Sequence, residues 1–482
     1  MQFKNLFAMF SVVSITTGCA VGPDYTKPVV PMMESYSEQI KVTEHHAISS
    51  VDLHKWWKEF NDPQLTRFIT LALANNLDLA QAFARVEQVR ASLGAANAAL
   101  LPSGNISGQA TRAYQSLDTP LAQVLNSTTN FDRYGNSYEV NLNAGWELDL
   151  FAGLRRGREA ALADYQASEA GVAATRLAVA AQTADIYITI RGLQSRLDVA
   201  QRQVQTQQEL LAIIKLLYNK GLAAELEVRQ VEGALAMVQA SVPVLETGLD
   251  AAMNALDVML GAPPGTYRAE LTDMGVIPIA PMLVDMGTPR DLLRRRPDLI
   301  MAERQLAAAN ARIGVAMAEY YPKLSLNGLL GSATSLSGGN LFSHSANQAT
   351  GLLGLRWRLF DFGRIDAQIG QAKGQEAETL AAYRLAVLRA SEDVENALSM
   401  LVNRELQTNI LTQGVDSLSR ARKASFSAYQ QGVVSLIEVL QADENLLRAE
   451  DLYTQSKISS AQAAVATFKA LGGGWQPDTE HK

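Results

Sequence analysis

YEVNLNAGWELDL, residues 138–150, alternates without a break. Tyr138, Val140, Leu142, Ala144, Trp146, Leu148 and Leu150 fall on one side, and Glu139, Asn141, Asn143, Gly145, Glu147 and Asp149 on the other. A period of two sends successive side chains to opposite faces, so the stretch reads as a strand with one apolar and one wet face. Leu353, Leu355, Trp357 and Leu359, set against Gly354, Arg356 and Arg358, repeat the pattern. Weaker partners precede each: Ile106, Gly108 and Ala110, then Leu324 and Leu326. The spacing predicts strands at about 102–113, 138–150, 322–334 and 350–360, each pair joined by a loop rich in Ser, Asn and Gly. Strands of about 9–13 residues suit a tilted membrane crossing, with Trp146 and Trp357 at an interface. Four strands cannot close on themselves, and lipid does not tolerate an open edge, so several chains must share one barrel. Three chains would give twelve strands, an even number within the known range.

On either side of these strands the period becomes helical. Leu65, Phe68, Ile69, Leu73, Leu77, Leu79, Phe83, Val86, Val89 and Leu93 predict one amphipathic helix from Pro63 to about Ala99. No proline occurs from Leu154 to Leu217, a run of roughly 95 Å at ~1.5 Å per residue. A second such run extends from Gly363 to about Ala428. Helices of this length cannot fold back into a globule and must lie against other long helices. Helices of roughly 55 Å, about 224–260 and 435–471, follow them after the turns Tyr218–Gly221 and Tyr429–Gly432, where glycine supplies the stop. Two short helices end to end then match one long helix, which predicts a layered cylinder of antiparallel pairs.

The same order of elements occurs twice. Asp78, Ala82, Gly94, Ala96, Pro102 and Gly108 return 220 residues later as Asp298, Ala302, Gly314, Ala316, Pro322 and Gly328. Tyr218, Gly221, Glu227 and Val228 return 211 residues later as Tyr429, Gly432, Glu438 and Val439. Such self-similarity marks one duplicated structural unit. The repeats are placed at 63–261 and 289–472, with segments 19–62, 262–288 and 473–482 outside them.

Composition excludes several classes. The net charge of −7 and the lack of any basic run beyond Arg294–Arg296 leave no footprint for nucleic acid. The sequence contains no GxSxG elbow, P-loop or HExxH helix, and its five histidines are scattered, so neither catalytic residues nor a metal site are assigned. A soluble periplasmic coiled-coil scaffold is the remaining non-channel alternative. Residues 1–18, with Lys4 and an apolar run from Leu6 to Ile15, have the layout of a signal peptide. Gly18-Cys19 resembles a bacterial lipoprotein processing site, which would make Cys19, the sole cysteine, an acylated first residue. Apart from that covalent lipid no cofactor is expected.

Beyond these features the chain resembles the outer membrane factor family, the TolC-like channels, and within it the NodT-type efflux lipoproteins. The resemblance is carried by Gly18-Cys19, Val21-Gly22-Pro23-Asp24-Tyr25, Trp56-Trp57, Asp62-Pro63, Arg295-Arg296-Pro297-Asp298, Tyr321-Pro322, Trp357, Phe360-Asp361-Phe362-Gly363-Arg364 and Ala470-Leu471-Gly472-Gly473-Gly474-Trp475. It implies a mainly helical homotrimer: a shared twelve-stranded barrel in the Gram-negative outer membrane, a helical tunnel into the periplasm, and an equatorial collar built from the three segments outside the repeats. It further implies a passive duct for drugs and other small molecules, joined through a periplasmic adaptor to an inner-membrane pump of the resistance-nodulation-division type. Protein secretion and metal-ion export are the alternative cargoes. The functional residues would then sit at the periplasmic tip. Ile437, Gln441 and Glu444 would narrow the aperture, with Asp443 or Glu438 adding to a carboxylate ring. Arg420, Arg422 or Lys423 would lock the tip by pairing with Glu438, Asp443 or Glu444. The turns at Gly221 and Gly432 would meet the adaptor.

Overall fold

The computed structural model describes residues 20–37, 53–128, 132–281, 288–336 and 338–475. Cys19 and the tail from 476 lie outside them. The chain forms two compact units, one of Met1–Pro28, Glu87–Ala167 and Glu303–Ala382, the other of Val29–Val86, Ser168–Ala302 and Tyr383–Lys482.

The first unit holds one antiparallel sheet in the order β1 (Ser103–Tyr114), β2 (Tyr134–Leu148), β3 (Lys323–Thr334), β4 (Asn347–Arg356). Register fixes its faces. Ile106 lies opposite Leu142, Leu142 opposite Leu330, and Leu326 opposite Leu353, so these aliphatic side chains share one face. Ser107, Asn141, Asn143, Ser325, Asn327 and Gln348 share the other, where Asn143 Nδ2 donates to Ser107 Oγ at 3.0 Å and Gln348 Nε2 to Asn141 Oδ1 at 2.7 Å. β1 and β4 each pair on one side only.

β2 and β4 differ from the sequence expectation at both ends, β2 beginning at Tyr134. β2 stops at Leu148 because Asp149 turns to the next helix: its carboxylate accepts from the backbone N–H of Leu154 at 2.9 Å and of Arg155 at 2.8 Å. β4 begins earlier and ends at Arg356, before Trp357–Phe360, and Asp361 caps the second long helix through the Ile365 N–H. A carboxylate at a helix N-terminus satisfies donors that the helix leaves open. At the same end of the sheet Trp146 Nε1 donates to the Leu100 carbonyl at 2.9 Å and Trp357 Nε1 to the Tyr320 carbonyl at 3.0 Å.

The helices are α1 (Pro63–Asn75), α2 (Leu77–Ala98), α3 (Pro120–Asn126), α4 (Gly153–Asn219), α5 (Glu225–Met259), α6 (Pro297–Ala318), α7 (Arg364–Gln430) and α8 (Leu436–Ala470). α4 and α7 have 67 residues each and α5 and α8 have 35 each, the equal lengths that two copies of one unit would give. The predicted helix 63–99 is broken at Asn76, whose side chain accepts from Asp78 N at 2.9 Å and Leu79 N at 3.1 Å while donating to the Met259 carbonyl at 3.0 Å. The counterpart 289–319 breaks at Arg296, 220 residues on, where Pro297 forces an extended residue before it.

Residues 20–28 pack in the first unit, apart from the rest of the 19–62 segment. Gly22 has φ 98°, and a Cβ on it would stand 2.4 Å from Gly314 Cα. Arg156 donates to the Val21 carbonyl at 3.2 Å and pairs with Asp24 at 2.6 Å. Tyr25 donates to Glu303 at 2.7 Å. Burial alone would raise the Glu303 carboxyl, but hydrogen bonds from Arg304 and Tyr25 outweigh it and hold the group below its usual range.

The second unit is built on Trp56, Trp57 and Phe60, on Leu65, Phe68 and Ile69 of α1, and on the buried faces of α4, α5 and α8. Trp56 stacks on Phe468 with ring centroids 5.3 Å apart. Gly474 N donates to the Leu53 carbonyl at 2.7 Å and Trp475 Nε1 to the Arg295 carbonyl at 2.8 Å, so the tail returns to this core. Leu271 and Ile277 of the inter-repeat segment join it, and Arg191 secures that segment through the Asp273 carbonyl at 2.8 Å.

Asp185 of α4 buries one carboxylate oxygen without a partner. That burial pushes its carboxyl up from 3.8 to about 6, with the Lys469 charge acting in the opposite sense. Between those values the folded chain holds a proton that the unfolded chain has lost, so stability falls as pH rises through the window and stays lower above it. Asp185→Asn is expected to stabilise the protein at pH 7.5 by about 2 kcal/mol and to change little near pH 4, read from thermal melting at both pH values.

Candidate functional site

Both long helices end in the same hydrogen-bonded stop. Gly221 N donates to the Tyr218 carbonyl and Leu222 N to the Leu217 carbonyl, each at 2.9 Å. Gly432 N donates to the Tyr429 carbonyl and Val433 N to the Ala428 carbonyl, also at 2.9 Å. The glycines take φ 72° and 71°, the left-handed conformation that a Schellman stop requires. Each turn reverses the chain, and the ends of α4, α5 and α8 meet in a cluster of Leu210, Ile214, Val228, Val231, Leu436 and Val439, with Phe426 and Tyr429 of α7 packed against it.

That cluster sets the faces of α8. Leu436, Val439 and Asp443 are buried, which leaves Ile437, Gln441 and Glu444 exposed along one stripe. The stripe borders a groove of about 560 Å³ whose other walls are Gln203 and Gln207 of α4 and Met237 and Val238 of α5.

Asp443 departs from the expected ring. It is 1% exposed, accepting from Arg422 Nε at 2.7 Å and Gln207 Nε2 at 3.3 Å, and it points into the helix bundle instead of along the stripe. Its position, six residues from Ile437, puts it on the face that the apolar cluster buries. Of the three candidate basic residues, Arg422 alone reaches across to α8, its guanidinium lying 5.4 Å over the Phe426 ring. Arg420 pairs within its own helix with Asp416 at 2.9 Å, and Glu444 likewise with Arg448 at 2.7 Å. Both are i,i+4 pairs, the spacing that brings side chains together on one helix face. Among the described residues Lys423 and Glu438 form no ion pair.

Two participants were not anticipated from the sequence. Gln207 bridges α4 to Asp443, and nothing in a glutamine-rich helix singles it out. Lys215 pairs with Glu232 at 2.9 Å across the first turn, and Glu232 is the residue 211 before Asp443. The repeat spacing therefore carried that signal. Hydrogen bonds from Lys215 and then Arg229 hold the Glu232 carboxyl below its usual range. Among the described residues no group of three or more metal-ligating side chains could hold a metal ion, and no helix is long and apolar enough to cross a membrane.

Two pairs of helices of 67 and 35 residues, together with a sheet of one polar and one apolar face, are elements found in the channel-forming class of outer-membrane proteins. The profile of the outer membrane efflux protein family matches residues 68–262 and 288–473. The chain belongs to that family, one of outer-membrane transport channels and not of enzymes. It is 33% identical over 428 residues to the pyoverdine export outer membrane protein OpmQ of Pseudomonas putida, covering 88% of this chain and 89% of that one. It is 30% identical over 458 residues to nodulation protein T of Rhizobium leguminosarum bv. viciae, covering 94% and 87%. Its structure superimposes on the outer-membrane channel OprN with a TM-score of 0.87 at 30% identity, covering 95% of this chain and all of that one.

The two acidic neighbours on α8 should separate in a stability measurement. Asp443→Asn leaves a partly buried guanidinium without its carboxylate and is expected to cost about 1–3 kcal/mol in thermal melting. Glu444→Gln, which loses only an exposed pair within its helix, should stay within about 0.5 kcal/mol of the parent.

Proposed function

We propose that three copies of this chain form a passive exit duct through which small molecules, drugs among them, leave the periplasm. The sheet carries this reading: it has one aliphatic face, one hydrogen-bonding face, and an unpaired edge on each of β1 and β4. In an outer membrane the aliphatic face meets lipid and the polar face lines water. β1 of one copy pairs with β4 of the next, and three copies give a closed twelve-stranded wall. Exposed apolar side chains along α7, Leu388 at 62% and Ile410 at 60% among them, support lateral packing of neighbouring copies through their helices.

The helix-turn end is then the periplasmic aperture. Ile437, Gln441 and Glu444 face the axis, and three Glu444 carboxylates form a negative ring that favours cations. The Arg422–Asp443 tie holds each α7–α8 pair together in the resting state. The turns at Gly221 and Gly432 receive the periplasmic adaptor, and a pump of the resistance-nodulation-division type supplies the energy. Residues 53–62, the 262–288 segment and the tail form the collar, and an acylated Cys19 anchors the chain to the membrane. The name of OpmQ, a pyoverdine exporter, supports small-molecule cargo over protein secretion or metal-ion export.

Cysteines introduced at Ala110 on β1 and Ala349 on β4, treated with a short thiol cross-linker, test the closure. A ladder ending at the trimer is expected, with the parent chain and its single Cys19 as background. Monomer alone, or a ladder continuing past three, overturns the reading. For the cargo, a strain lacking the gene is expected to become more sensitive to antibiotics and dyes, measured against a panel that includes metals. Sensitivity confined to metals would reassign it.

A further inference from the structure

The β1–β2 hairpin carries a cluster at its loop end that the duct does not use. Tyr114 and Tyr134 lie opposite each other in register, with ring centroids 4.9 Å apart. The Arg133 guanidinium sits 4.2 Å over the Tyr114 ring, and that of Arg112 sits 5.2 Å over the Tyr134 ring. Arg112 and Tyr114 follow Ile106, Gly108 and Ala110 at every second position, so they continue the aliphatic face of the sheet. Arg133 is further held by its Nε, which donates to the Gln115 carbonyl at 3.2 Å, while Gln115 N donates back to the Arg133 carbonyl at 2.8 Å. Among the described residues neither arginine forms an ion pair. The nearby Asp132 carboxylate accepts from the Tyr134 N–H at 2.9 Å. Tyr114 and Tyr134 are 57% and 54% exposed. At the same end of the sheet β3 stops at Thr334 and β4 starts at Asn347, and among the described residues they carry no equivalent cluster.

We infer that this cluster binds the phosphate groups of a glycolipid in the outer leaflet, one site per chain. The inference rests on reading the sheet as an outer-membrane wall. In that wall the loop end of β1–β2 is opposite the end bearing Trp146 and so reaches the outer surface. Tyrosine there sits at headgroup level. A guanidinium stacked on an aromatic face keeps its donors free at the ring edge and presents them as a planar fork, which matches phosphate. The aliphatic face directly below gives the acyl chains a surface, so one ligand satisfies both halves of the site. A free anion would use only the arginines.

The test uses the full-length protein in detergent, cross-linked across β1 and β4 as above, with purified lipid A as the probe and native mass spectrometry as the readout. The parent is expected to retain lipid A, and Arg112→Gln/Arg133→Gln to bind it at least about tenfold more weakly, a loss near 1.4 kcal/mol. Arg112→Lys/Arg133→Lys keeps the charge and loses the fork, and should fall between the two. Equal binding by all three, or none by the parent, overturns the site. Complete displacement of lipid A by inorganic phosphate also overturns it, in favour of a free-anion site. A trimer that cross-links normally while lipid binding is unaffected removes only the lipid site. Failure to cross-link removes the wall reading and the lipid site together.

Discussion

A β-sheet edge is a row of unpaired N–H and C=O groups, and leaving such groups in hydrocarbon costs several kcal/mol each. β1 and β4 are two such edges on a sheet that carries Ile106, Leu142, Leu330 and Leu353 on one face. The aliphatic face calls for lipid, and the edges forbid it to a single copy. Each place where a strand gives way to a helix must likewise satisfy its backbone groups. The junction residues are therefore exacting. Asp149 follows β2 directly and starts a helix with its carboxylate, Asp361 caps the second long helix five residues after β4, and Trp146 and Trp357 tie the strand ends to the chain entering the sheet.

The 67-residue α4 and α7 gain little from the tip beyond their local packing. There the buried cluster is six aliphatic side chains, against more than twenty buried residues in the core around Trp56 and Phe468. A region with few buried apolar contacts opens at lower free energy than the core it is attached to. The turn end is thus more thinly packed than the core around Trp56, and polar ties carry a larger share of its stability.

The architecture was legible because it is written in period. Alternation at Tyr138–Leu150 and the proline-free run from Leu154 onward determine sheet and helix without reference to anything distant. The breaks at Asn76 and Arg296 were harder, since Asn76 acts through a bond to the Met259 carbonyl that no local pattern reveals. The Val21–Tyr25 motif was visible, but its reason was not: Gly22 is required by the backbone of Gly314, nearly three hundred residues away. At the tip, spacing placed Ile437, Gln441 and Glu444 on one stripe correctly. It could not tell Asp443 from Glu444, because adjacent residues on a helix differ by about 100° and only the position of the neighbouring helices decides which is buried.

The duplication makes the two turns a comparison within one chain. Glu232 and Asp443 occupy equivalent positions, and each is tied to a base on the preceding long helix, Lys215 in one copy and Arg422 in the other. The first tie is open to water, with Lys215 50% and Glu232 32% exposed, whereas Asp443 is 1% exposed and Arg422 26%. An exposed pair is screened by salt and worth little, but a carboxylate buried under its partner cannot be released without being hydrated or paired again. The same backbone turn thus carries a soft clasp in the first copy and a firm one in the second. The difference lies in burial and in where the base stands, since Lys215 corresponds to Phe426 and Arg422 to Leu211, while both glycine stops have the same hydrogen bonds and nearly the same φ. The α7–α8 hairpin, which bears Ile437, Gln441 and Glu444, is therefore tied more firmly at its base than the α4–α5 hairpin.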